Sequence, residues 1–312
     1  MSKKARGVVA GVSGACFWGI SNVFINFLTN NYSVAASWIG CFRVLVAGLV
    51  FIAICLATCR ERLLAMLRDR RAMVGVVLFA VLGIAVYQIS YIMAIGSTNA
   101  STEALLTQLS LIYIMVYTCA RDRRAPMAAE LFGLALALVG VFCIATKGDP
   151  AALVVGLAGL GWCLLDGVLG FLHNTLPLYA LDRYGSLSVN AVGMTLGGLL
   201  LIPIAQPWAG APAFDGIGWA AFGATTLFGA ILGYLLAMQG LKDSGPMLGS
   251  LLLVFTPIVA TLASAALLGT AITAFDLIGL VCIVAMMVVM SLAKKEPQEA
   301  RQTGKGHAPE TA

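Results

Sequence analysis

The sequence predicts an all-α membrane protein of ten transmembrane helices, arranged as two inverted five-helix repeats. Three observations predict it. Ten apolar runs of about twenty residues fill the chain, and a run of about 18 or more reads as a membrane-spanning helix. Positive charge is confined to alternate connections. The second five runs echo the first five in order. Composition agrees: of 312 residues 60% are hydrophobic and 11% charged, with a mean hydropathy of +0.96. So little charge excludes an ordinary soluble domain. The 34 glycines suit a membrane, where Gly lets helix backbones approach closely. A β-barrel would need short alternating strands, and these runs are continuous.

The runs cover residues 7–29, 34–57, 73–95, 99–118, 126–145, 152–174, 187–207, 217–240, 245–268 and 274–293. The first follows Lys3, Lys4 and Arg6 and could imitate a signal peptide. It is longer than the usual apolar region of such a peptide and carries Trp18, Asn22 and Asn26, so it reads as a retained span. Most links are very short, which makes consecutive helices antiparallel neighbours. The tail, 294–312, has Pro, Glu and Lys without apolar periodicity and reads as a disordered cytoplasmic segment.

The charges orient the spans. With the N-terminus inside, the inner segments hold Lys3, Lys4, Arg6, Arg60, Arg62, Arg68, Arg70, Arg71, Arg121, Arg123, Arg124, Arg183, Lys242, Lys294, Lys295, Arg301 and Lys305. The outer loops hold only Lys147, and Arg43 lies inside a span. Seventeen inside against one outside is a strong positive-inside bias. It places both termini in the cytoplasm and requires an even number of spans. A bacterial-type inner membrane is the expected location.

The echo has a nearly constant offset. Adding 146 carries Gly83 to Gly229, Leu111 to Pro257 and Gly133 to Gly279. It also carries Glu130-Leu131-Phe132-Gly133 to Asp276-Leu277-Ile278-Gly279. An offset of 145 takes Gly11, Gly14 and Phe17 to Gly156, Gly159 and Trp162. The expected units are therefore 1–148 and 149–293. Five spans per half is an odd number, so the halves must cross in opposite directions. Inverted repeats of this kind place a solute site between them near mid-membrane.

These residues resemble the EamA type of the drug/metabolite transporter superfamily. Phe17-Trp18-Gly19 resembles that family's Trp-Gly early in each repeat, and Phe42-Arg43-Val44 resembles its intramembrane Arg. Segments 94–111 and 240–257 resemble its third-to-fourth-span region. Leu111 departs from the Pro usual in the first repeat, and the acid often found before a repeat's fifth span is not evident near Gly269-Thr270. The resemblance implies carriage of small organic molecules, often export of amino acids or other metabolites, without ATP hydrolysis.

Charged side chains within spans cost about 2.5–3.5 kcal/mol at a helix centre, so they should face a cavity or a partner. Asp166 is the leading candidate. Gly159, Trp162, Asp166, Gly170 and His173 follow one face of the sixth span, and Asp166 could bind a cationic group or a coupling proton. Arg43 reads as a packing residue, with a solute carboxylate as the alternative. Glu103 reads as solvated or dipole-favoured near a helix end. Glu130 and Asp276 open the fifth and tenth spans, where the helix dipole favours acids, so no transport role is expected of them.

The candidate solute contacts are Trp18, Asn22, Tyr87, Gln88, Tyr91, Gln108, Trp162, Asp166 and Tyr234, a set suited to an amphipathic or amine-bearing solute. Pro257 is a candidate hinge. Trp38, Trp208 and Trp219 read as interfacial anchors.

No enzyme motif is present: there is no phosphate loop, HExxH or GxSxG. The eight cysteines form no CxxC pair, so no metal or other cofactor is expected. The partners expected are a small-molecule solute and the lipid bilayer, with no nucleic acid. The two other readings are a passive channel and a membrane-embedded sensor or partner subunit.

Overall fold

The computed structural model describes residues 3–98, 106–153, 156–209, 212–269 and 271–292. Among them the regular structure is entirely helical. Helix α1 is Lys3–Tyr32, α2 is Ala36–Thr58, and α3 is the short Arg60–Arg68. Helix α4 covers 70–97, α5 is Leu109–Asp122, α6 is Ala128–Thr146 and α7 is Leu157–Thr175. A short α8, Leu178–Tyr184, precedes α9, Ser186–Ala205. Then come α10, Gly216–Ser244, α11, Pro246–Leu253, α12, Thr256–Leu268, and α13, Ala274–Leu292.

Seven stretches are long and apolar enough to cross a membrane: α1, α2, 70–94 of α4, α6, α9, α10 and the joined α11–α12. Helix α13 offers a shorter apolar stretch, Ala274–Met290. Helix α5 has 14 described residues, and α7 has 19 but carries Asp166, His173 and Asn174. Glu103 and the tail lie outside the described residues.

The two halves meet through reciprocal helix pairs. Helix α2 packs on α9, and α6 packs on α13. A Cβ on Gly48 would lie 2.5 Å from the Thr195 backbone N, and one on Gly198 would lie 2.8 Å from Leu45 Cα. The same exchange recurs in the other pair. A Cβ on Gly133 would meet Met290 Cγ at 3.1 Å, and one on Gly279 would meet Ile144 Cγ1 at 2.5 Å. Residue i touching j′ while j touches i′ is the signature of a two-fold relation. In each pair rising numbers on one helix meet falling numbers on the other, so the helices run antiparallel. The pseudo-two-fold axis therefore lies across the helices rather than along them.

The remaining contacts are exchanged in the same way. Helix α1 packs along α10 and α12, while α7 packs along α4 and α5. Each half thus inserts its first long helix against the third and fourth spans of the other.

Three departures from regular helix set up the site. Helix α4 carries a π-helical segment, Phe79–Val86, and α10 carries one at Thr226–Gly233. The wider turn strains no single residue but leaves carbonyls without their usual partner. Third, the ninth span is broken at Val254–Phe255, where the backbone turns through 254→251 and 255→252 hydrogen bonds. Pro257 sits in the first turn of α12, past the break. The fourth span turns within one residue of the corresponding place, at Thr107–Gln108, where the Ser110 and Leu111 N–H groups bond back to the 107 and 108 carbonyls. There Leu111 stands where Pro257 stands in the second half. The turn in the fourth span shows that such a break does not require a proline.

The acids opening α6 and α13 are caps. Glu130 accepts from the Met127 N–H at 2.9 Å and Asp276 from the Thr273 N–H at 2.8 Å. Arg124 holds Glu130 with two bonds, at 2.6 and 2.7 Å, and Lys147 pairs with Asp276 across the halves. Side-chain acceptors at helix starts satisfy otherwise orphaned N–H groups.

Candidate functional site

The two π-helical segments are where the halves lock together. The Gly229 carbonyl on α10 accepts a 2.9 Å hydrogen bond from Trp18 Nε1 on α1. The Gly83 carbonyl on α4 lies 2.6 Å from His173 Nδ1 on α7. A carbonyl can only accept, so Nδ1 carries the proton, and Nε2 of the neutral ring is left as an acceptor. Each bulge is thus capped by a side chain from the opposite half.

These capping side chains build an aromatic cluster. Trp18 meets Tyr234 edge to face, with ring centroids 5.2 Å apart. Tyr234 meets the His173 ring at 5.8 Å, and His173 meets Tyr87 at 5.8 Å and Phe79 at 5.1 Å. Four helices, α1, α4, α7 and α10, contribute. Of the residues read from sequence, the cluster unites Trp18, Tyr87 and Tyr234. His173 is its hub, and sequence reading had placed it only on the stripe with Asp166.

Asp166 lies about two helical turns from His173 on the same buried face of α7, with no solvent exposure. Its Oδ2 accepts a 2.8 Å bond from Thr107 Oγ1, in the break of the fourth span. A discontinuous helix beside an intramembrane acid is a recurrent feature of solute sites. Gly170 lets α7 lie close to its neighbours: a Cβ there would lie 3.2 Å from Ser110 Cβ and 3.4 Å from Tyr87 Oη. Trp162 is half-buried, and its backbone carbonyl accepts from Ser90 Oγ at 3.2 Å. Gln108 is half-buried in the turn before α5.

Other candidates lie apart. Asn22 is exposed. Gln88 lies against α2, where a Cβ on Gly40 would be 3.0 Å from its Nε2. Tyr91 is 38% exposed and lies within electrostatic reach of Arg43. Pro257 belongs to α12, which packs on α1 but contributes no ring to the aromatic cluster. A hollow of about 550 Å³ opens elsewhere, between Tyr32, Trp38, Ile204, Gln206 and Pro212, and none of the candidate residues lines it.

A polar group on α1, α2 and α10 completes the neighbourhood. Ser21, one turn from Trp18, shares a 2.7 Å hydrogen bond with the Thr225 hydroxyl. Arg43 Nη1 donates to Ser21 Oγ at a long 3.4 Å. Thr107, Ser21 and Thr225 were not singled out from sequence, because an isolated hydroxyl in an apolar run has no spacing that marks it.

Comparison with known proteins fits this geometry. The sequence profile of the EamA-like transporter family matches residues 5–146 and again 157–292. The chain is 25% identical over 300 residues to the "uncharacterized inner membrane transporter YicL" of Salmonella typhimurium, covering 96% of this chain and all of that protein. It is 25% identical over 232 residues to the "uncharacterized transporter YyaM" of Bacillus subtilis, covering 69% of this chain and 72% of that one. A solved crystal structure superposes with a TM-score of 0.75 at 17% identity, over 95% of this chain and 98% of its own.

Packing gives the first spans a register of 152 rather than 145: Gly7 abuts Asp243 and Ser244 on α10, while Gly159, 152 residues later, abuts Ser97 and Thr98 on α4. With this register Ser21 matches His173 and Gly14 matches Asp166. The short, poorly marked link between the halves hides the extra residues from an offset search by glycines.

Proposed function

Since the chain belongs to the EamA-like transporter family, and both of its halves carry that family's repeat, we propose that it is a secondary carrier of a small amphipathic metabolite. It sits in the inner membrane as a multi-pass protein. In this reading it has ten spans, divided at 1–148 and 149–293, with both termini cytoplasmic. The solute is amino-acid-like or amine-bearing, and the direction is export. One observation carries the reading: the reciprocal packing of the halves, with the Trp18–Tyr234–His173–Tyr87 cluster at their junction.

The mechanism follows from that junction. Two antiparallel pairs, α2 with α9 and α6 with α13, form the surfaces on which one half rocks against the other. Rocking exposes the cluster first to one side and then to the other. Aromatic faces receive the solute's apolar body and, where present, its amine. Asp166, held by Thr107, supplies a negative charge for an amine or a proton. Its Thr107 bond is on the broken fourth span, so protonation and helix movement are mechanically linked.

Counterflow in proteoliposomes tests this. Purified protein preloaded with unlabelled amino acids or aromatic amines should accumulate the labelled solute transiently and saturably. Asp166→Asn and Trp18→Ala should abolish that accumulation while the protein stays folded. Flux without saturation would favour a passive channel, and no flux of any solute would favour a sensor or partner subunit.

A further inference from the structure

Resting on the carrier reading above, we propose that Arg43 is an anion-binding subsite, which takes the carboxylate of a solute whose apolar body lies in the aromatic cluster. A guanidinium stays charged at any pH the cell offers. Buried charge is costly unless paired, so a guanidinium inside a span normally has a carboxylate against it. Arg43 has none: among the described residues the ion pairs are Arg6–Asp243, Arg124–Asp122, Arg124–Glu130 and Lys147–Asp276. Its Nε is buried without a hydrogen-bond partner. Its Nη1 hydrogen bond to Ser21 Oγ is long at 3.4 Å. Of the donors in its fixed fork, the Nε N–H is thus left without a partner and Nη1 meets only a weak neutral acceptor.

The surroundings suit a carboxylate. Ser21 and Thr225 bring hydroxyls, and Tyr91 and Tyr234 lie within the guanidinium's electrostatic reach. Gly229 lets α10 close on this group: a Cβ there would lie 2.2 Å from Ser21 Oγ and 3.1 Å from Arg43 Nη1. Tyr234 is itself a wall of the aromatic cluster, and Ser21 is one turn from Trp18, so charge and rings are adjacent.

A repeat-wide structural role for this arginine fails on symmetry. In the α2–α9 pair Gly48 and Gly198 exchange places, an offset of 150. That offset carries Arg43 to Gly193, which packs against Phe79. The scaffold forms in the second half with no charge at this position.

The test uses three compounds with one apolar body: 3-phenylpropionate, phenylalanine and phenethylamine. The readout is the thermal shift of purified protein, with apparent affinity taken from titration. Wild type should respond to the two carboxylates and less to phenethylamine. In Arg43→Gln the apparent affinity for both carboxylates should fall about ten- to hundredfold, the loss of a charged hydrogen-bond pair, and Arg43→Lys should retain part of it. Phenethylamine should respond equally in wild type and Arg43→Gln. Equal responses to all three compounds, no response to either carboxylate, or unchanged carboxylate affinity in Arg43→Gln would each overturn the proposal. If Arg43→Gln fails to fold, the wild-type comparison of carboxylates with phenethylamine decides alone. Saturable counterflow of any solute alongside a failed carboxylate test leaves the carrier reading standing and removes only this one.

Discussion

Substituting Gly48 or Gly198 with alanine tests whether the halves are held by close backbone contact. A methyl on Gly48 would sit 2.5 Å from Thr195 N and 2.9 Å from Met194 C. A methyl on Gly198 would sit 2.8 Å from Leu45 Cα and 2.9 Å from Leu45 N. Ordinary contact begins near 3.4 Å. These are backbone atoms, so no rotamer change can yield. Helices α2 and α9 must separate by several tenths of an ångström, and overpacking of that size costs about 1–3 kcal/mol. Because the contacts are reciprocal, the two substitutions should cost similar amounts. Gly161→Ala is the control: nothing lies within 4 Å of its added methyl, and alanine is favoured in a helix by about 1 kcal/mol. The assay is thermal unfolding in detergent with a thiol-reactive dye, reported by buried Cys41, Cys55 and Cys163. Both interface variants should melt several degrees below wild type and Gly161→Ala at or above it. Gly48→Ala melting with Gly161→Ala would refute the two-fold packing argument.

Three other outcomes follow. Trp18→Phe keeps the ring but removes the donor to Gly229, leaving that carbonyl unpaired, so stability should fall by about 1–3 kcal/mol in the same melt. Pro257→Ala should keep the break at Val254–Phe255, because the fourth span breaks without proline; amide exchange that becomes uniformly slow across 251–258 would contradict this. Asp69 caps the helix starting at Arg70 and accepts from Tyr184 Oη at 2.8 Å, which with the Ala72 N–H holds its carboxyl below the usual carboxylate range. Its contribution is therefore full above the ordinary carboxylate pKa and is lost as pH falls through the depressed one. Between about pH 5 and pH 3, wild type should lose more thermal stability than Asp69→Asn; parallel losses would count against the cap.

Much of the framework is legible in the residues. Continuous apolar runs identify the membrane class, and Gly133 with Gly279 marks a true two-fold pair, because glycine there is required by helix contact. Trp18, Tyr87 and Tyr234 declare themselves as aromatics within apolar spans. The π-helical segments do not, since 79–86 and 226–233 are apolar sequences that an ordinary helix would also accept. Their form follows from the capping side chains of the other half, a tertiary cause. The break at Thr107–Gln108 is equally silent: without a proline, nothing local interrupts the run. Arg43 is conspicuous in sequence, but that no acid among the described residues pairs with it becomes visible only when the other helices are assembled.

The central claim is that the solute is held where the two halves meet, around Trp18, Tyr234 and His173. Counterflow by Tyr234→Ala, set against the exposed Trp208→Ala at matched folded protein, tests it most directly. The account predicts saturable counterflow lost in Tyr234→Ala and retained in Trp208→Ala. Equal counterflow in both, with unchanged half-saturation, would place the solute elsewhere.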